Sequence, residues 1–343
     1  VITMAKEIAI DLGTANSLVY EKGKGIVIRE PSVVAIDKKT NKVLAVGEEA
    51  KQMIGRTPGN IVAIKPLQDG FIADFDVCAS MLKYFFNKTL GTIGMFSKPR
   101  VIVCVPAGTT SVEERAVRQS TMQAGAKEVH IMEEPMAAAI GAGLPVADPI
   151  GSMIVDIGGG TTDVAVISLG GVVTSQSIRV GGDKMDDAIV NFVKKQHNLL
   201  IGERTAEEIK KAIGTVYIHP DDTPKTYNIN GRDLITGLPK QVEVADYEIH
   251  QAFKELMDSI LDSIKNCLEK TPPELAGDII QNGIVLAGGG SLVRGMDTLI
   301  SEKTGIPVIY AEDPLSSIVL GAGKALENID LLSKVEYGHK ISR

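Results

Sequence analysis

Ser152-Met-Ile-Val-Asp156-Ile-Gly-Gly-Gly-Thr-Thr-Asp163-Val-Ala-Val-Ile-Ser-Leu169 is the stretch that decides the fold of this protein. An apolar run ends at Asp156, a glycine-rich bend follows, and a second apolar run leads away, which predicts a β-hairpin. Gly158, Gly159 and Gly160 in the bend let backbone amides approach a polyphosphate without interference from a Cβ atom. An aspartate beside phosphate implies a Mg²⁺ ion between them. Taken alone, the stretch also fits a tight hairpin that binds nothing.

A second copy of this pattern lies near the start of the chain. Ile8 to Tyr20 reads Ile-Ala-Ile-Asp11-Leu-Gly-Thr-Ala-Asn-Ser-Leu-Val-Tyr, again a strand, an aspartate, a turn of small residues and a strand. Two copies about half a chain length apart indicate two similar domains that close on one ligand. A third cluster, Gly288-Gly289-Gly290-Ser291, follows the apolar run Gly283–Ala287. No G-x-x-x-x-G-K-[ST] loop is present, so we expect phosphate to be held without a Walker lysine.

These three stretches resemble the phosphate and adenosine motifs of the actin and sugar-kinase superfamily of ATPases. Three further segments look like the MreB family of bacterial cell-shape actins: Glu133-Glu-Pro-Met-Ala-Ala-Ala139, Ser177-Ile-Arg-Val-Gly-Gly-Asp-Lys-Met-Asp186 and Ile201-Gly-Glu-Arg-Thr-Ala-Glu-Glu-Ile-Lys210. The similarity extends from about Lys6 to Leu332. The resemblance implies an α/β, actin-like fold with two similar β/α lobes, a small inserted subdomain in each lobe, and the nucleotide in the interlobe cleft.

The resemblance also implies where the four subdomains lie. Large subdomain IA is expected at residues 1–32, 67–145 and 315–343, and small subdomain IB at 33–66. Large subdomain IIA is expected at 146–181 and 246–314, and small subdomain IIB at 182–245.

Composition limits the classes of function. A chain of 343 residues with 44% hydrophobic and 23% charged residues is typical of a globular protein with room for two domains. The net charge of −7 argues against a nucleic-acid partner. The three cysteines, Cys78, Cys104 and Cys267, are scattered among apolar residues and are read as reduced core thiols. With no run of 18 apolar residues and no signal-peptide pattern, we expect a cytoplasmic protein that can contact the membrane from inside.

Apolar spacing and capping patterns predict several helices. Apolar residues recur at helical spacing over 76–88 and again from Tyr247 to Lys270. Ser111-Val-Glu-Glu114 and Thr205-Ala-Glu-Glu208 both match the capping box, which opens a helix at its first residue.

Three further helix starts are predicted. Pro135 is expected at the first position of an alanine-rich helix. Asp183 is expected to cap a helix that runs through Phe192, and Asp313-Pro314 to open a final helix to about Glu327.

Carried over to this sequence, the resemblance assigns the nucleotide contacts. Asp11 and Asp156 would hold Mg²⁺ or its water ligands from opposite lobes, although each aspartate also suits capping of a turn. The expected contacts to ATP or ADP are Thr14, Ala15, Asn16, Gly158, Gly159, Gly160, Glu207, Glu208, Ile209, Lys210, Gly288, Gly289, Gly290 and Ser291. Where actin carries a lysine in its first phosphate loop, this sequence has Asn16 and Ser17, so charge neutralisation rests more on Mg²⁺ and backbone amides. Without the resemblance, Glu207 and Lys210 would be no more than a helical ion pair.

Two residues are expected to carry hydrolysis. Phosphoryl transfer depends mostly on positioning and electrostatics, so a water molecule must be held in line with the γ-phosphate. Glu134 is expected to orient or deprotonate this water, and the hydroxyl of Thr161 to anchor it. The adjacent Glu133 fits the sequence motif equally well, but the resemblance favours the glutamate next to Pro135. The alternative role for Glu134 is that of an acid favoured by the helix dipole at an N-terminus.

A candidate membrane contact lies in Thr92-Ile93-Gly94-Met95-Phe96-Ser97-Lys98. Exposed Ile93, Met95 and Phe96 are unusual for a solvated loop, and the resemblance implies that such a loop inserts into the inner leaflet of the cell membrane. A loop packed on its own domain is the alternative. The basic tail, with Lys334, Lys340 and Arg343, suits either weak attraction to anionic lipid or a disordered end.

The function that follows from the resemblance is that of a slow, filament-forming ATPase. Such proteins form head-to-tail filaments, paired as antiparallel protofilaments on the inner face of the membrane, and organise cell-shape machinery with membrane-bound morphogenesis proteins. The alternatives are a metabolite kinase and a chaperone-type ATPase of the same superfamily. A kinase would need a pocket for a sugar or an acid, and the sequence displays no segment for one. A chaperone would need an apolar linker and a substrate domain, which the sequence does not display either.

Overall fold

The computed structural model describes residues 6–94 and 98–328, and the side chains of 92–94 are not included in that description. The strands of the first half are β1 (Glu7–Leu12), β2 (Asn16–Glu21), β3 (Gly25–Pro31), β4 (Val34–Asp37), β5 (Val43–Val46), β6 (Ile61–Ile64), β7 (Leu67–Gln68), β8 (Phe71–Ile72), β9 (Arg100–Val105) and β10 (Glu128–Glu133). Its helices are α1 (Glu48–Gln52), α2 (Phe75–Gly94), α3 (Ser111–Ala124) and α4 (Glu134–Gly141).

The second half repeats this mixture of strands and helices. Its strands are β11 (Ser152–Ile157), β12 (Thr162–Ser168), β13 (Gly171–Ile178), β14 (Leu199–Leu200), β15 (Thr226–Asp233), β16 (Pro239–Ala245), β17 (Ile284–Ala287) and β18 (Val308–Tyr310). Its helices are α5 (Gly182–His197), α6 (Glu203–Ile213), α7 (Asp246–Glu269), α8 (Pro273–Asn282), α9 (Met296–Thr304) and α10 (Ser317–Glu327), and a 3₁₀ turn covers Gly289–Leu292.

Two five-stranded sheets with matching order form the centres of the two lobes. The first lobe has the order β3-β2-β1-β9-β10 and the second lobe has β13-β12-β11-β17-β18. In each sheet an antiparallel hairpin, β1/β2 or β11/β12, continues through parallel pairing to the strands that follow later in the chain. The prediction of two similar β/α lobes, each built on an aspartate-bearing hairpin, is confirmed.

The hairpin strands read as continuous apolar runs because both faces of each sheet are covered. Every residue of β11 and β12 is buried, as are five of the six residues of β1. Strands buried on both faces lose the alternation of apolar and polar residues that a half-exposed sheet shows. Each run therefore ends at the first charged side chain that reaches the cleft.

Each half also carries a small three-stranded sheet. The order is β5-β4-β6 in the first half and β14-β15-β16 in the second. These sheets fall inside the ranges 33–66 and 182–245 expected for the small subdomains. The subdomain boundaries themselves stay a prediction.

The two lobes share a core in which helices α4 and α10 cross with their backbones in contact. A Cβ atom on Gly141 would lie 1.8 Å from the carbonyl oxygen of Ser317, and one on Gly321 would lie 1.8 Å from that of Ala137. The buried cluster around this crossing includes Ala9 and Ile102 of the first sheet together with residues of β11, β12 and β17. Small residues at the crossing allow this cluster, which contains residues of both large sheets, to pack closely.

Several helix starts differ from the sequence predictions. The cap of α3 is Thr110, whose hydroxyl accepts from the Glu113 amide (3.3 Å) while Glu113 accepts from the Thr110 amide, so the capping box lies one residue earlier than Ser111–Glu114. The box predicted at Thr205–Glu208 is wrong, because α6 already begins at Glu203 after an extended Gly202. A capping residue must have non-helical dihedral angles, and Thr205 lies inside the helix.

Three other helix starts also differ. Asp183 is the second residue of α5, which Gly181 precedes and which continues past Phe192 to His197, so Asp183 is not the cap. Pro135 is the second residue of α4, not the first. The last helix begins at Ser317, because the Ser316 amide donates to the Asp313 carbonyl (3.1 Å) and a turn precedes the helix.

The predicted membrane loop lies largely outside the described residues. Helix α2 extends to Gly94, with a break at Gly91 (φ 64°), so the prediction of a loop from Thr92 to Gly94 is wrong for the backbone. Met95, Phe96 and the side chain of Ile93 lie outside the description, as does the basic tail 329–343. Within residues 6–94 and 98–328, none of the helices combines the length and the apolar character needed to cross a membrane.

We expect Gly321→Ala to destabilise the protein by about 1–3 kcal/mol, because the added methyl group overpacks the α4/α10 crossing. Gly277→Ala is the matched control: Gly277 lies in α8 with nothing within 4 Å of an added Cβ atom, and alanine there should stabilise by about 0.5–1 kcal/mol. Chemical unfolding of both variants measures the difference. Equal effects would contradict a close contact between the two helix backbones.

Candidate active site

A cleft of about 710 Å³ separates the two lobes, and both hairpin turns open into it. Most of the residues expected at the site line this cleft. They are Asp11, Thr14, Ala15, Asn16, Glu134, Asp156, Gly158, Gly159, Gly160, Thr161, Glu207, Lys210, Gly288, Gly289 and Gly290. The structure thus brings together five chain segments that are far apart in sequence.

Three expected contacts do not line the cleft. Ile209 is fully buried in the core of the second lobe, and Glu208 is turned toward Arg204, whose Nε donates to it (3.2 Å). Side chains three or four positions apart share a helix face, so Glu207 and Lys210 face the cleft while the two residues between them do not. The hydroxyl of Ser291 is buried and donates to the Gly288 carbonyl (2.7 Å), which shapes the glycine turn from behind.

The two phosphate-type turns touch each other across the cleft, and this contact requires glycine. A Cβ atom on Gly160 would lie 2.4 Å from the Thr14 hydroxyl oxygen, and one on Gly159 would lie 2.6 Å from the Ala15 Cβ. The Thr14 hydroxyl also accepts from the Gly70 amide (2.9 Å). The turns of opposite lobes are thereby held close enough to face a single anion.

Four carboxylates are buried around these turns. Asp11 and Glu134 are each 8% exposed, Asp156 is 3% exposed and Asp163 is 1% exposed. Burial raises the pKa of Asp11 to about 7 and that of Asp163 to about 6. Burial, followed by the charge of the neighbouring aspartates, raises the pKa of Glu134 and of Asp156 well above the usual range. The cluster therefore favours bound protons or a cation.

The donor set fits a magnesium ion shared with a phosphate. Oδ2 of Asp156 is buried without a hydrogen-bond partner, and a buried carboxylate oxygen left unpaired is costly. Among the described residues no group of three or more His, Cys, Asp or Glu side chains could hold a metal ion. Asp11 and Asp156 thus offer one carboxylate from each lobe, and Mg²⁺ is usually bound by one or two carboxylates with waters and substrate phosphates.

Glu134 lies at a helix start and beside the cleft, a position compatible with each of the two roles predicted for it. It is the first residue of α4, directly after β10, and it lines the cleft together with Thr161. A carboxylate at this position benefits from the helix dipole. The same position also aims it at the cleft, because ligands of α/β sheets gather at the carboxyl ends of the strands.

Ion pairs among residues that line the cleft connect the two halves of the chain, and sequence reasoning missed them. Lys51 Nζ lies 2.9 Å from Glu207 Oε2, and Lys65 Nζ contacts Glu203 and lies 3.4 Å from Asp183 Oδ1. Burial would raise the pKa of Glu207, but hydrogen bonds from Lys211 and Lys51 lower it to about 2. The lysine and its partner are 156 positions apart in the first pair, so no local pattern signals the contact.

Lys210 supports the wall of the cleft. Its Nζ lies 2.9 Å from Asp186 Oδ1 and donates to the Gly182 carbonyl (2.9 Å). The Gly182 amide in turn donates to the Gly158 carbonyl (2.9 Å). Lys210 therefore connects α6 to the glycine turn, and Asp186 supplies its counter-charge.

An apolar wall faces this polar side of the cleft. Leu292 and Leu315 line the cleft beside Gly289, and each is 51% exposed. Pro314 and Ile318 extend the wall. Exposed leucines in a cleft suit the face of a flat apolar ring. Sequence reasoning missed these residues, although the position of Leu292 directly after the glycine cluster was a usable signal.

Comparison with known proteins adds to this geometry. The family model described as MreB/Mbl protein matches residues 5–334. The cell shape-determining protein Mbl of Bacillus subtilis (strain 168) is 52% identical over 330 residues, which cover 96% of this chain and 98% of that protein. The cell shape-determining protein MreB of Escherichia coli (strain K12) is 54% identical over 331 residues, 95% of each chain.

A solved structure is also similar over nearly the whole chain. The crystal structure of MreB5 of Spiroplasma citri bound to ADP superposes with a TM-score of 0.90 at 38% identity. The match covers 96% of this chain and 99% of that chain.

The metal-free protein is expected to lose stability as the pH rises. The pKa of Asp11 is about 7 when folded against 3.8 for the free side chain, so the folded state holds a proton that the unfolded state has released. The resulting stabilisation is complete below about pH 4 and is lost as the pH rises through about 7. Thermal unfolding with EDTA should show a smaller decrease in Tm between pH 5 and pH 8 for Asp11→Asn than for the native chain.

The control is Asp262→Asn, an exposed position on α7, which should keep the native pH dependence. If Asp11→Asn and the native chain lose the same Tm over this interval, the buried aspartate does not carry the effect.

Proposed function

The chain belongs to the MreB/Mbl family, and on that premise we propose that it is an actin-like ATPase that polymerises into filaments and determines or maintains bacterial cell shape. The observation that carries the proposal is the contact between two aspartate-bearing turns from opposite lobes, with buried Asp11 and Asp156 on the two sides of one cleft. Such a pair binds a polyphosphate only when a cation accompanies it.

In this proposal the cleft takes ATP or ADP in one orientation. Its phosphates lie against the amides of Thr14–Asn16 and of Gly158–Gly160, and the three glycines carry no Cβ atom that would keep a phosphate from the backbone. The base lies between the apolar wall of Leu292 and Leu315 and the face of α6 that carries Glu207 and Lys210. The similar MreB5 protein of Spiroplasma citri was crystallised bound to ADP, which supports this assignment.

Mg²⁺ is part of the proposed site. Asp11 and Asp156 would hold the ion or its water ligands, and the unpaired Oδ2 of Asp156 supports this role. The bound ion supplies neutralisation of the phosphate charge, which this site needs because no lysine takes the place of Asn16 in the first turn.

Glu134 and Thr161 are the proposed catalytic residues. Hydrolysis requires a water held in line with the γ-phosphate, and the raised pKa of Glu134 lets its carboxylate accept a proton from that water. The Thr161 hydroxyl supplies the second contact that fixes the water. Both side chains are nearly buried, which limits access of other waters.

Filament formation follows from repeated head-to-tail contacts between identical chains. Such contacts give an open filament when the rotation between subunits does not close a ring. The nucleotide touches both lobes, so its state is proposed to set the angle between them and hence the fit of one subunit on the next. Pairing of antiparallel protofilaments, and contacts with membrane-bound morphogenesis proteins, are the finer parts of this proposal.

The proposed location is the cytoplasm, at the inner face of the cell membrane. The apolar segment that contains Ile93, Met95 and Phe96 is the proposed contact. Burying one such side chain contributes roughly 1.5–3 kcal/mol, so a single subunit would bind weakly and a filament strongly.

The alternatives within the superfamily are not favoured. Membership of the MreB/Mbl family does not support a metabolite kinase or a chaperone-type ATPase. The net charge of −7 also argues against nucleic acid as a ligand. Proteins that bind nucleic acid rely on clustered positive charge to bind its phosphates.

We expect Glu134→Ala to lower the rate of phosphate release by roughly 10²–10⁴-fold, the usual contribution of a positioned base. Sedimentation and phosphate release are measured together with ATP and Mg²⁺, and the native chain should pellet with ATP and release phosphate slowly. Glu133→Ala is the matched control and should keep most of the release. This control removes the neighbouring carboxylate, which the sequence motif alone does not distinguish from that of Glu134.

Two results would change the assignment. Pelleting with unchanged release in Glu134→Ala keeps the filament and removes Glu134 from the chemistry. No pelleting of the native chain at any concentration or on liposomes, with release stimulated by a small metabolite or peptide, favours the kinase or the chaperone.

The membrane contact is tested by combining Met95→Ser with Phe96→Ser. Loss of the two apolar side chains should abolish co-sedimentation with anionic liposomes while ATP-dependent pelleting without lipid persists. Val112→Ser is the control, because Val112 is a 72% exposed apolar residue on α3, outside the loop. Retained binding that instead disappears when Lys334, Lys340 and Arg343 are neutralised would assign the contact to the tail.

A further inference from the structure

One end of the first large sheet carries a group of basic side chains for which the proposed function has no role so far. Strands β1, β9 and β10 all begin at this end, and the turn between β2 and β3 returns to it. Residues 6–7, 21–25, 98–100 and 127–128 form this end of the sheet, which we call the basic edge. Its cations are Lys6, Lys22, Lys24, Lys98, Arg100 and Lys127.

Backbone hydrogen bonds fix these segments beside one another. The Arg100 amide donates to the Lys6 carbonyl (2.9 Å), and the Lys127 amide donates to the Pro99 carbonyl (2.8 Å). The Lys22 amide donates to the carbonyl of the first residue of β1 (3.0 Å). The cations are therefore neighbours in the fold, although they come from four separate parts of the sequence.

Acids are fewer at the basic edge, and ion pairs already occupy them. Glu21 is buried, and its carboxylate holds Lys6 (3.1 Å) and Lys24 (3.0 Å). The other two acids are also paired with basic residues of the edge: Glu7 and Glu128. Six cations and three acids give the basic edge a net positive charge, whereas the whole chain carries −7.

Two of the cations are available for a partner. Lys98 and Lys127 are exposed, and among the described residues no acid lies within ion-pair distance of either. Lys22, Lys24 and Arg100 are exposed as well, and their pairs with acids of the edge are of a kind that contributes little free energy. These three can therefore turn toward a phosphate group at small cost.

The shape of the basic edge suits a flat anionic surface. Neighbouring strands lie about 4.8 Å apart, so the cations spread over roughly 15–20 Å along the end of the sheet. A row of this width does not close around one small anion. Strand β1 leads from the edge to Asp11 in the cleft, about 17 Å away at the usual rise per residue. A surface bound at the edge therefore leaves the cleft open to nucleotide.

The basic edge also adjoins the proposed membrane contact along the chain. Lys98 follows Phe96 by two residues, so their Cα atoms are at most about 7 Å apart by covalent geometry. The attraction between a cation and an anionic leaflet extends over a Debye length of about 10 Å. A membrane that meets Phe96 therefore lies within reach of Lys98.

We propose that the basic edge binds the phosphate headgroups of anionic lipids, so that the first lobe meets the membrane with this end of its sheet. The inference rests on the proposed membrane location and deepens it, because it names the class of lipid and the face of the fold. The apolar segment supplies insertion in this scheme. The basic edge supplies attraction and sets the orientation of the subunit.

Neutralising the two available lysines together is the decisive change, because neither has an ion pair among the described residues whose loss would disturb the fold. We expect Lys98→Gln combined with Lys127→Gln to raise the concentration of phosphatidylglycerol vesicles that floats half of the protein by roughly 10–30-fold, since each cation contributes about 5-fold. ATP-dependent pelleting without lipid should stay native. The matched control combines Lys254→Gln with Lys265→Gln, which removes the same charge from exposed positions on α7 and should keep native flotation.

Glu128→Gln tests the inference in the opposite direction. It removes an exposed acid from the basic edge and releases Arg100, whose Nε lies 3.3 Å from the Glu128 carboxylate. Flotation with phosphatidylglycerol vesicles should strengthen by roughly 5-fold, a gain that poor folding would not produce. Asp262→Asn removes an exposed acid from α7 and should leave flotation unchanged.

Several outcomes would overturn the inference. Equal losses in the two double lysine variants would assign the effect to net charge instead of the basic edge. Native flotation in Lys98→Gln with Lys127→Gln, or equal binding of the native chain to phosphatidylglycerol and phosphatidylcholine vesicles, would remove the headgroup role and keep the apolar contact. A native chain that floats with neither vesicle removes the proposed membrane location itself, and that failure appears before any variant is compared.

Discussion

The structure depends on the burial of four carboxylates around one cleft. Asp11, Glu134, Asp156 and Asp163 come from both lobes, and each is at most 8% exposed. Removing negative charges from water and placing them beside one another is costly unless protons, hydrogen bonds or a cation compensate. The glycine turns meet this constraint because they leave room for a ligand that brings its own cation. The cleft is therefore built to be completed by a charged ligand.

The two halves of the protein are connected by close helix packing in one region and by ion pairs across the cleft in another. Helices α4 and α10 touch through Gly141 and Gly321, so these two helices have no space in which to slide past each other. Across the cleft, Lys51 and Lys65 reach acids of the second half. These exposed or half-exposed ion pairs are weak individually. Close packing at the helix crossing together with weak pairing across the cleft is an arrangement in which a ligand can shift the angle between the lobes.

Sequence patterns predicted the elements that rely on neighbouring residues. Both hairpins, the helical stripe within α2 and nearly all of α7 follow from apolar spacing, and the structure confirms them. Helix starts were less predictable. Thr110 and Ser111 both offer a hydroxyl three residues before a glutamate, and only backbone dihedral angles decide which one caps α3. The Thr205 box fails for a similar reason, since α6 begins earlier than its capping signature indicates.

The sequence by itself determined the two hairpins, the glycine turns and the family, because each depends on residues adjacent in the chain. It also singled out Asp11 and Asp156, which directly follow apolar runs, and the family resemblance selected Glu134 over Glu133. Only the tertiary structure decided that Asp163 shares the buried cluster, that Glu208 and Ile209 point away from the cleft, and that Lys51 pairs with Glu207. Those facts depend on how helix faces turn and how two lobes pack, and partners 156 positions apart leave no local pattern.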